Sequence, residues 1–185
     1  MGALLLTMAV LCRAQVAPSG PPKKPILKRL IGTEALAATV PGAIMRQVRD
    51  WPEEWGRKPA GFEKRLGSLY GQFVAGVLIE SGVKAIHRED TRYRRLGQGN
   101  FFRRAGHAIV DTATARKSDG SRTVALSMPA VAYGSWAIAT LWSPREFRNA
   151  GSILRWGTAG MGSAAGANMA KEFWPDLKGV FHKRK

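Results

Sequence analysis

The residues best suited to chemistry in this sequence are six arginines between positions 88 and 104. A guanidinium holds a phosphate or carboxylate through two parallel N–H donors, and the aromatic side chains interleaved here could stack on bases or enter a membrane interface. Glu89 and Asp90 leave an alternative open, in which part of the cluster is paired internally and the segment is a solvated loop. We predict an anion-binding surface formed by Arg88, Arg92, Arg94, Arg95, Arg103 and Arg104.

Catalytic and metal-binding patterns are weak. The three histidines lack the spacing of metal ligands, and the single cysteine, Cys12, excludes a cysteine-rich site. Residues 160–165 (GMGSAA) fit the letters of a dinucleotide fingerprint, but the strand before it and the acidic residue ~20 positions after it are missing. His107 and Asp111 lie one helical turn apart, which more often orients a surface imidazole than activates a nucleophile. The sequence therefore predicts no enzyme, no cofactor and no metal site.

Charge composition indicates the kind of partner. The chain of 185 residues has 29 Lys and Arg against 13 Asp and Glu, a formal net charge of +16. A surplus of this size attracts anionic surfaces such as lipid head groups, phosphorylated envelope polymers or nucleic acid. A generally basic protein whose charge serves only solubility is the plainer interpretation. An assembly of identical chains stays open.

The chain divides into four segments. Residues 1–14 read as a signal peptide or weak anchor, because an apolar run ends with small residues ahead of Gln15, although no basic residue precedes the run. Residues 15–25 form a proline-rich linker. Residues 26–175 form a helical domain, and residues 176–185 form a basic tail. These features predict an exported protein of the cell envelope, in the periplasm or at a membrane.

The helical domain begins with one or two short amphipathic helices that Pro41 interrupts or kinks. A long amphipathic helix is predicted from about 61 to 88, from apolar residues at helical spacing. Its glycines, Gly67 and Gly71, form a ridge of small residues that predicts close packing on a neighbouring helix. Residues 105–126 read either as a helix to Ala115 followed by a turn or as a two-stranded hairpin.

The prediction of the fold class depends mainly on the stretch from 123 to 170. The 22 residues from Thr123 to Pro144 carry no charge, which meets the length of ~20 residues that a bilayer span needs. Gly162 and Gly166 continue a small-residue ridge in the partner segment. We predict a helical hairpin, either membrane-embedded or buried in a soluble bundle. The fold class is thus all-α, a small-residue-rich helical bundle with a long amphipathic helix and a Gly/Ala-rich hairpin.

Tryptophans flank these helices. Trp51, Trp55 and Trp174 lie beside charges, a combination typical of a membrane–water interface. A tryptophan-rich turn that caps a soluble core is the alternative for the first two. Pro175 is expected to end the last helix shortly after Lys171.

Three short stretches carry a resemblance: Ala14-Gln15, the HREDTRY run at 87–93 and KEFWPD at 171–176. Together they resemble a family of uncharacterised bacterial envelope proteins with a signal segment, a HEDPRY-like motif and a KEFWPD-like ending. Here an arginine follows His87 and Thr91 stands in place of the proline. The resemblance implies an envelope location and carries no catalytic role.

The sequence therefore favours an exported structural or interaction protein whose basic surface meets anionic lipids or polymers, with a membrane as its expected partner. A cytoplasmic nucleic-acid-binding module that uses the arginines of 88–104 is the alternative.

Overall fold

A computed structural model of the chain describes residues 25–117 and 120–182, with the side chains beyond 178 left aside. The predictions for residues 1–14 and for most of the linker lie outside this part. The protein is largely helical, which confirms the all-α class. Its elements are α1 (Ile26–Ile31), α2 (Thr33–Val48), α3 (Pro59–His87), α4 (Phe101–Ala113), β1 (Thr114–Arg116), β2 (Arg122–Val124), α5 (Ser127–Ala139) and α6 (Ala150–His182).

The long helix α3 lies within two residues of its predicted bounds. Helix α2 continues through Pro41 and α6 continues through Pro175 to His182, so the predicted break at Pro41 and the predicted end at Pro175 are wrong. A kink at Pro41 stays a prediction. Helix α6 therefore crosses the boundary predicted at 175/176. Proline removes one backbone hydrogen bond, but tertiary packing supplies most of the stability of a helix in a protein. Near Pro41 that packing comes from α3, and near Pro175 it comes from ion pairs described below.

Residues 105–126, for which either a helix or a hairpin was predicted, contain both elements. Helix α4 ends at Ala113, two residues before the predicted end, and a short antiparallel hairpin follows. In its register Thr114 faces Val124 and Arg116 faces Arg122. Thr114, Thr123 and Val124, whose β-branched side chains favour strands, lie in the hairpin. The residues before Thr114 are helical.

The helices pack as a row in the order α2, α3, α5, α6, α4, in which each packs mainly on its neighbours in that order. Helices α3 and α5 are antiparallel, since Trp142 after α5 meets Ser68 in the first half of α3 while Glu89 after α3 meets the start of α5. Helices α5 and α6 are antiparallel as well, since Trp136 stacks on Trp156 while Met128 shares a core cluster with Ala164. The predicted hairpin corresponds to α5 and α6. The row has a turn end, with residues 50–57 and 140–149, and a loop end, with α1, residues 88–100 and the C-terminal part of α6.

Many small and polar side chains lie between these helices, beside larger apolar ones that include Leu69, Phe73 and Val77 of α3. Helix α2 buries Ala35, Thr39 and Ala43 while Leu36 and Ile44 stay 61% and 51% exposed. Buried hydroxyls bond to their own helix, as Thr39 does to the carbonyl of Ala35 at 2.8 Å. Helices α5 and α6 also bury serine and alanine, and α5 buries Val131 and Trp136 as well. The interior therefore combines close helix approach with a small apolar core, and several large apolar side chains remain exposed.

Glycine supports that close approach, but mostly at other positions than predicted. Gly71 lies under the ring of Trp142, where an added Cβ would meet a ring carbon at 3.0 Å. Gly67, Gly162 and Gly166 face open space instead, so their predicted role in helix packing is wrong. The α5–α6 contact forms at Gly157, which lies directly against the ring of Tyr133. Gly162 and Gly166 share one face of α6, as their spacing predicts, but that face points away from α5.

At the turn end, Arg65 of α3 is fully buried and holds the connection between α2 and α3. Its N–H groups donate to the carbonyls of Trp51 (3.0 Å), Pro52 (2.8 Å) and Gly56 (2.5 Å). They also donate to Gln47 at 2.7 Å and to the Asp50 carboxylate at 2.9 Å. One side chain thus satisfies most of a turn that has little secondary structure of its own.

Within the described residues, α3 is the one helix that is long and apolar enough to cross a membrane, a property that core helices of soluble proteins share. Helix α5, the centre of the predicted span, has 13 residues and is about 20 Å long. It is too short to cross the ~30 Å hydrocarbon core of a bilayer by itself.

Gly157, which contacts Tyr133, and Gly162, which faces open space, predict opposite effects of an alanine substitution on stability. Gly157→Ala forces a methyl group into the Tyr133 ring and should destabilise the fold by about 1–3 kcal/mol. Gly162→Ala meets open space and should stabilise the helix by about 0.5–1 kcal/mol. Urea denaturation followed by circular dichroism measures both, and equal effects of the two substitutions would contradict this packing.

Candidate functional site

The arginine-rich segment forms a loop from 88 to 100 and the first turn of α4, and both lie against the C-terminal part of α6. Arg88 takes a left-handed conformation (φ 52°) and ends α3, its N–H donating to the carbonyl of Lys84 at 2.9 Å. Asn100 begins α4, its side-chain oxygen accepting from the N–H of Arg103 at 2.9 Å. The loop between these two helix ends closes around one carboxylate.

That carboxylate belongs to Glu172 of α6, which is 0% exposed. It accepts hydrogen bonds from the phenol of Tyr93, from the N–H groups of Leu96 (3.0 Å) and Gly97 (2.9 Å), and from Nε of Arg104 (2.9 Å). Gly97 has a φ of +68°, a conformation that glycine adopts freely, and this turns its N–H towards the carboxylate. Glu172 therefore fixes the shape of the loop.

Two arginines complete this cluster from outside. The backbone carbonyl of Glu172 accepts from Nε of Arg95 at 3.0 Å and from Nη2 of Arg104 at 2.9 Å. Asp176, one turn further along α6, pairs with Arg104 at 2.7 Å and with Arg95 at 3.3 Å. The Arg104 guanidinium also lies 4.4 Å from the centre of the Phe173 ring. These contacts hold both sides of Pro175, which explains why α6 continues past it.

The protonation states follow from this geometry. Burial alone would raise the pKa of Glu172, but the hydrogen bonds from Tyr93, Arg104 and the two backbone N–H groups outweigh it and lower the pKa from 4.5 to about 2. Burial, together with the neighbouring Glu172 charge, raises the pKa of Tyr93. Glu172 is thus an ionised, saturated acceptor, and an acceptor of this kind does not act as a general base near neutral pH.

The predicted anion-binding arginines therefore divide into two groups. Arg95 and Arg104 are engaged by Glu172 and Asp176, as in the internally paired alternative. Arg92 and Arg94 approach Asp90 only loosely, at 4.0 and 3.7 Å, and both are exposed. Arg88 and Arg103 are exposed as well. A surface for an external anion stays a prediction, and it rests on Arg88, Arg92, Arg94 and Arg103.

A second buried carboxylate lies in the same segment. Glu89 accepts from the N–H groups of Leu126 and Ser127, both at 3.1 Å, and from the Ser127 hydroxyl at 2.8 Å. These are the free donors at the start of α5, where the helix dipole also favours an anion. Glu89 thus joins the loop to α5 while Glu172 joins it to α6. The two stretches that carry the resemblance, 87–93 and 171–176, therefore meet in space.

The tryptophans occupy three different settings. Trp51 packs in an aromatic cluster with Phe147 and Trp156, each 5.1 Å from its ring centre, as expected of a turn that caps a core. Trp55 is half-buried and lines a groove beside α3. Trp174 is 55% exposed, with the Lys178 ammonium 5.5 Å from its ring centre. Trp174 thus has the exposure that an interfacial residue needs, and Trp51 lies inside the fold.

The remaining chemical candidates do not assemble into a catalytic site. Asp111 accepts from the side chain of Arg122 and from the N–H of Arg94, both at 3.4 Å, while His107 lies against the ring of Tyr93. No group of three His, Cys, Asp or Glu side chains in the described part of the chain could hold a metal ion. Sequence patterns gave no role to Arg65 or Glu172, and they indicated Glu89 only as an internal partner of the arginines. One signal could have indicated the two acids: acidic residues are scarce in this basic chain, and both lie in short motifs beside arginine-rich or aromatic residues.

Comparisons of the chain with family models, with curated proteins and with solved structures return no match. What the protein does is therefore argued from its own geometry.

Replacing the buried carboxylate tests its role. Glu172→Gln removes the buried charge to which Tyr93, Arg104 and two backbone N–H groups donate, and should destabilise the protein by about 3 kcal/mol at pH 7. Because the folded pKa is depressed, the wild-type contribution is present above about 4.5 and is lost as pH falls towards 2. The variant should lack this acid-dependent loss. Denaturation at several pH values measures it, with exposed Glu63→Gln as the control; an unchanged acid profile in Glu172→Gln would contradict the assignment.

Tyr93→Phe removes one donor that lowers the pKa of Glu172. That pKa should therefore rise towards its ordinary value of 4.5, so the acid-induced loss of stability should become smaller and should end at a higher pH. Tyr70→Phe is the matched control, since the Tyr70 hydroxyl donates to the carbonyl of Leu30 at 3.2 Å, away from Glu172. Carbon NMR of the glutamate carboxyl groups across pH 2–6 reads the shift directly, and identical titrations in both variants would overturn the prediction.

Proposed function

We propose that this protein is a non-enzymatic, envelope-associated protein that binds a membrane through its row of helices and meets anionic lipid through the basic loop end of that row. The observation that carries the proposal is a charge-free band across four neighbouring helices. The band comprises residues 35–45 of α2, 66–79 of α3, 127–139 of α5 and 156–170 of α6.

The way these helices pack supports lipid contact. In water, a helix buries its large apolar side chains and exposes polar ones. Here the band buries small and hydroxyl-bearing residues beside a few large apolar ones such as Phe73 and Val77, and it leaves Leu36, Ile44 and Leu78 more than half exposed. Small residues at helix contacts are typical of membrane proteins, where lipid solvates the large side chains and close approach provides the attraction. An extended exposed apolar surface marks a membrane or a protein partner.

The length of the band limits how deeply the protein can enter a bilayer. Its helical segments contain 11 to 15 residues, or about 16–22 Å at the rise of an α-helix. The hydrocarbon core of a bilayer is about 30 Å thick. The band is thus shorter than a complete crossing, which favours seating within part of the bilayer.

The loop end of the row supplies basic charge for contact with anionic lipid. The loop end exposes Arg88, Arg92, Arg94 and Arg103, and Trp174 lies exposed on the same part of α6. Each basic residue near an anionic membrane surface contributes about 1 kcal/mol of binding free energy. Export to the envelope is supported by residues 1–14, whose pattern resembles a signal segment.

The contacts of the arginine-rich segment give less support to a nucleic-acid-binding function. Arg95 and Arg104 are held by Glu172 and Asp176, which removes two of the six guanidinium groups from a binding surface. Phe101 stacks on Phe173 with ring centres 5.1 Å apart. Fewer free cations and one fewer free ring leave a smaller platform for bases.

Vesicle flotation of the full chain tests the proposal. With vesicles of phosphatidylcholine and phosphatidylglycerol the protein should float. Ile44→Glu and Leu78→Glu place a charge on exposed positions of the band and should reduce flotation at least tenfold, since a charge inside a bilayer costs about 2.5–3.5 kcal/mol.

Val124→Glu is the matched control, because Val124 is 64% exposed on the β-hairpin outside the band. It should float like the wild type. Failure of the wild-type chain to float, or equal flotation of all three variants, would rule out lipid contact through the band. Salt-sensitive retention of the chain on nucleic acid without flotation would favour the alternative.

A further inference from the structure

An open groove lies beside the first half of α3, near the turn end of the row. Its volume is about 570 Å³, within the ~300–1,000 Å³ of ligand sites. Two indoles form its sides, two glycines of α3 leave room between them, and a lysine lies at its margin. The lining residues are Trp55, Lys64, Gly67, Ser68, Gly71 and Trp142.

The groove is shaped in advance. The indole N–H of Trp142 donates to the Ser68 hydroxyl at 3.1 Å, which fixes the ring across the helix. Gly71 permits this position, because a Cβ there would meet the Trp142 ring at 3.0 Å. At Gly67 an added Cβ would meet no atom within 4 Å, so this glycine borders the open space itself. The absence of a side chain at Gly67 therefore keeps the groove open.

The groove has a charged margin and an apolar interior. Lys64 is exposed, and no carboxylate in the described part of the chain lies within 4.0 Å of its ammonium group. Gly67, Ser68 and Gly71 belong to the charge-free band, whereas Lys64 lies just before the band begins. A ligand that fills the groove would thus place an anionic group at Lys64 and an apolar chain between the indoles.

We propose that this groove binds one anionic phospholipid, with its phosphate at Lys64 and an acyl chain over Gly67 between Trp55 and Trp142. This inference rests on the proposed function and deepens it, because it names the lipid class and the residues that select it. Charge complementarity with Lys64 favours an anionic head group, and continuity with the charge-free band favours a lipid tail over a small soluble anion.

Native mass spectrometry of the full chain in a non-ionic detergent tests the groove. Phosphatidylglycerol and phosphatidylcholine are added separately, and the dissociation constant of the first bound lipid is measured. Phosphatidylglycerol should bind more tightly. Lys64→Gln should weaken it about fivefold, the effect of one lysine at an anionic surface, and remove the preference between the lipids. Gly67→Leu should weaken both lipids at least tenfold, because the leucine fills the groove.

Gly82→Leu is the matched control, since Gly82 is also exposed on α3 with no atom within 4 Å of an added Cβ. It should bind like the wild type. Equal lipid binding by Gly67→Leu and Gly82→Leu would overturn the proposal. So would full competition by inorganic phosphate, which would assign the site to a free anion.

The groove and the membrane proposal can fail separately. Gly67→Leu should float with vesicles as the wild type does, since the band supplies most of the apolar contact. A wild-type chain that binds phosphatidylglycerol at the groove but does not float would retain the groove and end the membrane proposal. A chain that floats while Gly67→Leu binds lipid normally would do the reverse.

Discussion

Buried ion pairs at the two ends of the helical row hold this protein together. The apolar core is small, because many of the side chains between helices are small ones that bring backbones close but bury less apolar area, and the hydrophobic contribution scales with that area. At the turn end Arg65 binds Asp50 with 0% of its side chain exposed. At the loop end Glu80 joins α1 to α3 through Arg29 at 3.0 Å, and Glu172 closes the loop before α4. Removing one partner of a buried pair leaves an uncompensated charge, so each pair fixes its connection strongly.

This arrangement has a consequence for the middle of the molecule. With acids and bases placed at the ends, the centre of the row is free of charge, and several of its large apolar side chains, such as Leu36, Ile44 and Leu78, face outward. Such a surface is stabilised by an apolar environment and destabilised by water. The same distribution that holds the connections therefore supports a membrane as the partner, with the basic loop end at the level of the lipid head groups.

Much of the fold follows from local sequence patterns, and the rest depends on contacts distant in sequence. The periodicity of residues 61–88 was enough to predict α3, because a long amphipathic pattern has few competing structures. Pro175 was expected to end α6, but Arg95 and Arg104, about 70 to 80 positions earlier, hold the residues around it. The glycine ridge shows the same limit: spacing predicts that Gly162 and Gly166 share a face, but only the fold decides that Gly157 faces α5. In the arginine cluster, composition indicated anion binding, while the partners of Arg104 were two acids of another motif, Glu172 and Asp176.

The central claim is that the charge-free band lies in lipid, and spin-label accessibility measures this directly. Cys12 is the single cysteine and can be replaced, after which Leu78→Cys and Ile44→Cys each carry one label. In vesicles containing phosphatidylglycerol, both labels should collide more often with oxygen, which concentrates in hydrocarbon, than with a water-soluble nickel chelate. If the chelate reaches these labels as freely as it reaches one at Val124→Cys on the hairpin, the band lies in water and the account is wrong.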